Sequence, residues 1–260
     1  MSFDEEYIFI VKVDDGIFSI SLAGSRQSPV DILTSQVETS AELSQLEYTY
    51  IPANCQSAEN TGSSWKVNVL PEGSSLKGGP LLSDIYHLAQ FHAHWGGENS
   101  RGSEHTVDGK MFSAELHLVH YNSKYGSFGE AADKPDGLAV LGVFIKVGDE
   151  HPEFGKLCEV LQDIPRKGDT LDLPEPINPA DLLPKNQSYW TYEGSLTTPP
   201  LYESVTWIVL KQPIEVSSVQ IRIMREMKFG DEASECMKDN YRIHSIHSHY
   251  TKNISENFFP

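Results

Sequence analysis

His92 and His94 are one residue apart in the stretch QFHAHW (90–95). Gln90 falls in step with them, and Phe91, Ala93 and Trp95 alternate between. On a strand, residues i and i+2 share a face and lie about 6.6–6.8 Å apart along it. Two imidazoles so spaced can converge on one ion, each holding it at about 2.0–2.1 Å through a ring nitrogen. A half-buried strand carrying two structural histidines has the same pattern, so the pair alone leaves both readings open. A third nitrogen is needed. Further on, SAELHLVHY (113–121) puts Glu115, His117 and Val119 on one face, and Leu116, Leu118 and His120 on the other. His117 supplies the third nitrogen if the two strands are neighbours. The intervening GGENSRGSEHTVDGK (96–110) is rich in turn residues, as a connection returning the chain across a sheet should be. Three neutral imidazoles without a thiolate describe a catalytic zinc with an open fourth position. Gln90 and Glu115 share the faces of His92 and His117, where they can accept the second ring N–H and fix the tautomer.

The remaining histidines of the ten read differently. His87, His105, His120 and His151 stand singly and read as structural or surface residues. HSIHSHY (244–250) packs three into a short stretch with nothing to fix their geometry, so it reads as a solvated tail.

The site needs a sheet to carry it, and the chain supplies strands at short intervals. YIFIVKVDDGIFSISL (7–22) reads as a hairpin closed by an Asp-Gly turn. WKVNVL, AELHLVHY, LAVLGVFIKV and SVTWIVLK, starting at 65, 114, 138 and 204, are rich in β-branched and aromatic residues. LAVLGVFI and VTWIVL are apolar nearly throughout, so they are expected at the centre of the sheet, covered on both faces. Helices are few. EFGKLCEVLQDI (153–164) aligns Phe154, Leu157, Val160, Leu161 and Ile164 on one stripe. Ser217 and Gln220 have the spacing of a capping box for a second helix, through about Met227. DLPEPINPADLLP (172–184) holds too many prolines for either element and reads as an ordered surface loop. The fold class expected is mainly β with peripheral helices (α+β), one domain around a large central sheet.

The 260 residues carry a formal charge of −17, which excludes nucleic acid and anionic membrane surfaces as partners, since both demand clustered Lys and Arg. No apolar stretch is long enough to span a membrane, and the acidic MSFDEEYIFIVKVDD does not read as a secretory signal. Cys55, Cys158 and Cys236 are sparse, odd in number and far apart, which fits reduced thiols. A cytoplasmic monomer is the expectation.

In this order QFHAHW, GSEHTVDG, AELHLVHYN, PDGLAVLGVF, YWTYEGSLTTPP and ESVTWIVLK resemble the α-class carbonic anhydrases, from Arg26 (RQSPVDI) to Arg242 (DNYR). The resemblance implies a twisted, mainly antiparallel central sheet and one catalytic Zn2+ on His92, His94 and His117, with Gln90 and Glu115 behind them. It implies reversible hydration of CO2 to bicarbonate and a proton by zinc-bound hydroxide, inhibition by sulfonamides, and the roles of pH regulation and one-carbon metabolism. By position, Thr197 accepts a hydrogen bond from that hydroxide, Glu104 accepts from Thr197, and Thr198 contacts bicarbonate. Val119, Val140, Leu196 and Trp207 match the apolar wall that holds CO2.

Three departures from the family pattern stand out. Fast members carry a proton-shuttling histidine where this chain has Ser63, which cannot titrate near neutral pH, so proton export is expected to limit turnover. The usual Trp-rich N-terminal coil is replaced, so residues 1–25 read as an atypical segment before a domain at 26–242. After Arg242 the usual proline-rich strand is missing, and 243–260 reads as an atypical tail. Rival readings are a carbonic-anhydrase-related binding protein without activity and a zinc hydrolase acting on esters. The intact histidine triad with Thr197 and Glu104 argues against the first, and the apolar wall against the second.

Overall fold

The computed structural model describes residues 8–13, 16–21, 24–243 and 254–257. The strands in chain order are β1 (Ile8–Val13), β2 (Gly16–Ser21), β3 (Asp31–Ile32), β4 (Glu38–Thr39), β5 (Leu46–Thr49) and β6 (Cys55–Asn60). Next come β7 (Trp65–Val69), β8 (Ser75–Gly78), β9 (Tyr86–Trp95), β10 (Thr106–Val107) and β11 (Ala114–Asn122). The last five are β12 (Leu138–Val147), β13 (Thr170–Asp172), β14 (Tyr189–Gly194), β15 (Val205–Val216) and β16 (Ser255–Glu256). Among the described residues the helices are α1 (Phe128–Ala131), α2 (Pro152–Asp163) and α3 (Ser218–Glu226). Twelve strands form one sheet, in the order β13-β6-β7-β9-β11-β12-β15-β14-β16-β4, with β8 on β9 and β5 on β8. Its pairs are antiparallel except β12 with β15 and β16 with β4. This is the mainly β, largely antiparallel architecture expected.

The alternation of each central strand sorts its side chains onto two faces. Leu116 and Leu118 of β11, with Ala139, Leu141, Val143 and Ile145 of β12, join a core closed by the Phe154, Leu157, Val160 and Leu161 stripe of α2. Val119 of β11 and Val140 and Phe144 of β12 face the opposite way, into a smaller cluster with Trp207 and Val209 of β15. β12 and β15 are therefore covered on both faces, which is why they read as continuous apolar runs. Ser217 caps α3 as its spacing predicts, since its side chain accepts from Gln220 N while the Gln220 side chain accepts from Ser217 N. Gln220 also clasps His151 N–H and C=O, tying the start of α2 to the start of α3.

The strand pairing of the expected hairpin is present, and two other expectations change. β1 and β2 pair in register from Ile8↔Ser21 to Val13↔Gly16, while the two acidic residues of the turn lie outside the described residues. The proline-rich 172–184 is not irregular throughout: Pro179–Leu182 forms a 3-10 turn that Asn178 caps through its side chain, and Ile177 and Leu182 are buried. The C-terminal region also keeps a strand in the sheet. Ser255–Glu256 lies between β14 and β4, Asn257 Oδ1 accepts from Tyr189 N at 2.7 Å, and Ile254 O accepts from Glu38 N at 3.0 Å. HSIHSHY lies outside the described residues.

His120 lies on the core face and is fully buried. Its Nδ1 is 3.2 Å from Ala139 O and its Nε2 is 2.9 Å from Tyr50 Oη, so the neutral ring donates to the carbonyl and accepts from the phenol. A second proton would place a charge in a dry site and oblige the Tyr50 hydroxyl to turn from donor to acceptor. Burial accordingly lowers its pKa to about 4, against the raising effect of the backbone carbonyls. A base held neutral in this way stabilises the fold fully above the ordinary 6.5, and that contribution is lost as the pH falls from there to about 4, because the unfolded chain takes up the proton first. The contribution is on the order of 3 kcal/mol. Denaturant titrations across this window should show a steeper acid slope for the wild type than for His120→Gln. Equal slopes would assign the acid sensitivity to other groups.

Candidate active site

Strand register assembles the site. His92 pairs with His117 across β9 and β11, His117 with Gly142 across β11 and β12, and Gly142 with Val209 across β12 and β15. The adjacent row runs Gln90–Val119–Val140–Trp207, and on the other side His94 pairs with Glu115. Paired residues point to the same face, so the three histidines, both supporting side chains and three members of the predicted wall share one surface of the sheet. Gly142 matters here, because a Cβ would come within 3.2 Å of Glu115 Oε1 and 3.8 Å of the Trp207 ring.

The three imidazole rings are mutually close, with centroids 5.1 Å apart for His92–His94, 5.3 Å for His92–His117 and 4.9 Å for His94–His117. Each ring spends one nitrogen on a support. His92 Nδ1 is 2.8 Å from Gln90 Oε1, His94 Nδ1 is 3.0 Å from Asn240 O, and His117 Nε2 is 2.8 Å from Glu115 Oε1. One ring nitrogen from each residue, all within 4.8 Å of one another, makes a group able to hold a metal ion. His94 Nε2 is a buried nitrogen with no hydrogen-bond partner, which fits a ligand atom aimed at an ion. His92 is held well below the ordinary imidazole range by burial and then by repulsion from His94, His117 and Lys66. Burial lowers His117 as well, with Glu115 pulling the other way. Both rings therefore stay neutral at pH 7, as metal binding requires. The donor set fits Zn2+.

Glu115 is the busiest support. Oε1 lies 2.8 Å from His117 Nε2 and 2.7 Å from His105 Nδ1, while Oε2 accepts from the backbone N–H of Glu104 (2.9 Å) and His105 (2.8 Å). Burial alone would raise this carboxyl, but the His105 and His117 partners hold it well below the usual range. His105 Nε2 in turn lies 2.6 Å from Tyr192 Oη, itself 2.9 Å from Ser28 Oγ.

The predicted wall is present: Val119, Val140 and Trp207 are buried in one cluster, with Leu196 partly buried against it. The Trp207 ring packs 4.8 Å from His117, and its Nε1 donates to Ser195 O at 3.0 Å. Thr197 is buried, and Thr198 next to it is exposed. Glu104 is buried with Oε1 accepting from Arg242 N at 2.7 Å, while Oε2 lies 3.5 Å from His94 Nε2 without a hydrogen bond. The expected Thr197–Glu104 hydrogen bond is thus not formed in this arrangement. Ser63 is exposed, in the loop between β6 and β7.

A family model described as eukaryotic-type carbonic anhydrase matches residues 17–255. The chain belongs to this carbonic anhydrase family. It is 48% identical over 228 residues to carbonic anhydrase 7 of Homo sapiens, covering 86% of this chain and 83% of that one. To carbonic anhydrase 7 of Mus musculus it is 49% identical over 224 residues, 84% of each chain. As a carbonic anhydrase it is a carbonate dehydratase, catalysing reversible hydration of CO2, in a family that depends on zinc and is inhibited by sulfonamides.

Two carbonic anhydrase site residues escaped the sequence reading. His105 was grouped with the structural histidines, although its position next to Glu104 in GSEH was a usable signal. Asn240 supports His94 through a backbone carbonyl, which any residue type supplies, so composition carries no trace of it.

Proposed function

We propose that this chain hydrates CO2 at a single Zn2+ held by His92, His94 and His117. What supports this is one observation: three rings each spend one nitrogen on a fixed partner and turn the other toward a common point. When bound there, Zn2+ supplies a Lewis acid that acidifies a water, an effect for which carbonic anhydrase is itself the reference case.

The protein's own residues do the rest. Gln90, Asn240 O and Glu115 fix the ring tautomers so that each imidazole offers a lone pair. Glu104 Oε2 has no hydrogen-bond partner and is the free acceptor to which Thr197 would direct its proton once its hydroxyl turns toward it, which would leave the threonine oxygen to orient the attacking oxygen. Val119, Val140, Leu196 and Trp207 hold CO2 by shape, since it needs no hydrogen bond. Thr198, exposed beside Thr197, contacts the departing bicarbonate. The proton then leaves past Ser63 without a titrating side chain at that position.

The chain works as a monomer in the cytoplasm, where pH regulation and one-carbon metabolism use CO2 and bicarbonate. No helix among the described residues is long and apolar enough to cross a membrane. Cys55, Cys158 and Cys236 are free, and burial raises the thiols of Cys55 and Cys158 to about 12, leaving both unreactive.

The deciding measurement is zinc content together with CO2 hydration on the purified chain, with and without an aromatic sulfonamide. One zinc per chain and hydration abolished by the sulfonamide are expected. Full zinc occupancy without sulfonamide-sensitive hydration would instead fit a binding module.

A further inference from the structure

Asn240 does more than lend a carbonyl to His94. Its backbone N–H donates to Trp95 O at 3.3 Å, its Oδ1 accepts from Trp95 N at 2.7 Å, and its Nδ2 donates to Ser63 O at 2.8 Å. The residue before it, Asp239, sits at φ 56, in the left-handed region that a non-glycine residue adopts only when held there. The carboxamide therefore pins a backbone segment that would otherwise relax, and with it the carbonyl facing His94 Nδ1.

The other end of this bridge is a stiff turn. Thr61 Oγ1 accepts from Ser63 N (3.3 Å) and Ser64 N (3.1 Å), and Thr61 N–H donates to Ser64 O at 2.9 Å. Ser64 Oγ reaches across to Ala93 O at 2.6 Å. The 61–64 loop is thus stitched to β9 on both sides of His94, directly at Ala93 and through the Asn240 carboxamide at Trp95.

We propose that the Asn240 side chain is a positioning group that couples the 61–64 loop to the metal ligand His94, so that zinc binding and the order of this loop are linked. The link is reciprocal: whatever zinc adds to loop order, loop order adds to zinc retention. The inference rests on the zinc reading above.

The test compares the full chain, zinc-loaded and stripped by a chelator, using hydrogen exchange and the rate of zinc release into excess chelator. In the wild type, zinc should slow exchange at residues 61–65 as well as at 92–95 and 115–119. Asn240→Ala should release zinc roughly 10-fold faster, at the lower end of what losing a ligand's support costs. It should also lose the zinc-dependent protection at 61–65 while keeping it at 115–119. Asn240→Asp keeps an acceptor for Trp95 N but sets a carboxylate oxygen against Ser63 O, so it should bind zinc and still lose that protection. Release from Asn240→Ala within about twofold of wild type would overturn the proposal. So would an equal rise in 61–65 exchange with and without zinc, the mark of a merely structural residue. If Asn240→Ala does not fold, the exchange comparison on Asn240→Asp decides. A wild type that binds no zinc removes the metal reading itself, whereas zinc protection confined to 92–95 and 115–119 removes only the coupling.

Discussion

Replacing His94 with alanine should leave a folded protein that retains little zinc and almost no CO2 hydration. The His94 ring is 3% exposed, its Nδ1 supported by Asn240 O and its Nε2 without a protein partner. Alanine strands the Asn240 carbonyl, which costs about 1–3 kcal/mol, but it also removes an unpaired buried nitrogen that the unloaded protein carries. Apo stability should therefore change little, while the stabilisation that zinc confers on the wild type disappears. The affinity loss should exceed the roughly 10- to 100-fold that follows removal of a group supporting a ligand, because a ligand itself is gone. Thermal midpoints with and without zinc, alongside zinc content and hydration rate, give the readout. Hydration surviving in the His94→Ala protein at a wild-type rate would remove His94 from the metal site.

The second large effect is a gain. Ser63→His should raise the turnover number at low buffer concentration, and imidazole-type buffers should raise that of the wild type. Serine has no proton to exchange near neutrality, whereas an imidazole titrates near 6.5. The substitution is tolerable because the loop holds position 63 through its backbone carbonyl, accepting from Asn240 Nδ2, while its exposed side chain hydrogen-bonds Thr61 Oγ1 at 3.1 Å. We expect about a 10-fold gain, below the ~10²–10⁴ of a directly hydrogen-bonded acid or base, since the proton must also cross solvent. The gain should shrink as buffer takes over the transfer. A wild-type rate that is already high and indifferent to buffer would end this account.

The parts of the site legible in the sequence were those set by period. Strand alternation put His92, His94 and Gln90 on one face and Glu115, His117 and Val119 on another, and the observed register brings the two together. The register itself was not legible, because pairing partners are chosen by tertiary contact. The same limit explains Ser255–Glu256, a two-residue strand of polar side chains with no periodicity to detect. What holds it is external: Lys211 Nζ pairs with Glu256, Thr39 Oγ1 donates to Glu256 Oε1 at 3.1 Å, and the Asn257 side chain accepts from Tyr189 N. The turn at Pro179 was missed for a different reason. Counting prolines as breakers overlooked that Asn178 followed by Pro179 is a cap followed by a favoured first position.

The placement of Ser255–Glu256 has a consequence for synthesis. Among the described strands β4 reaches the sheet only through β16, so Glu38 and Thr39 wait for Ser255 and Glu256 before they gain a strand partner. A ribosome emits the metal-binding strands long before it emits this clasp. A nascent chain can thus assemble the histidine face while Glu38 and Thr39 remain unpaired, and closure of that margin becomes a late event, completed only after nearly all of the fold has emerged.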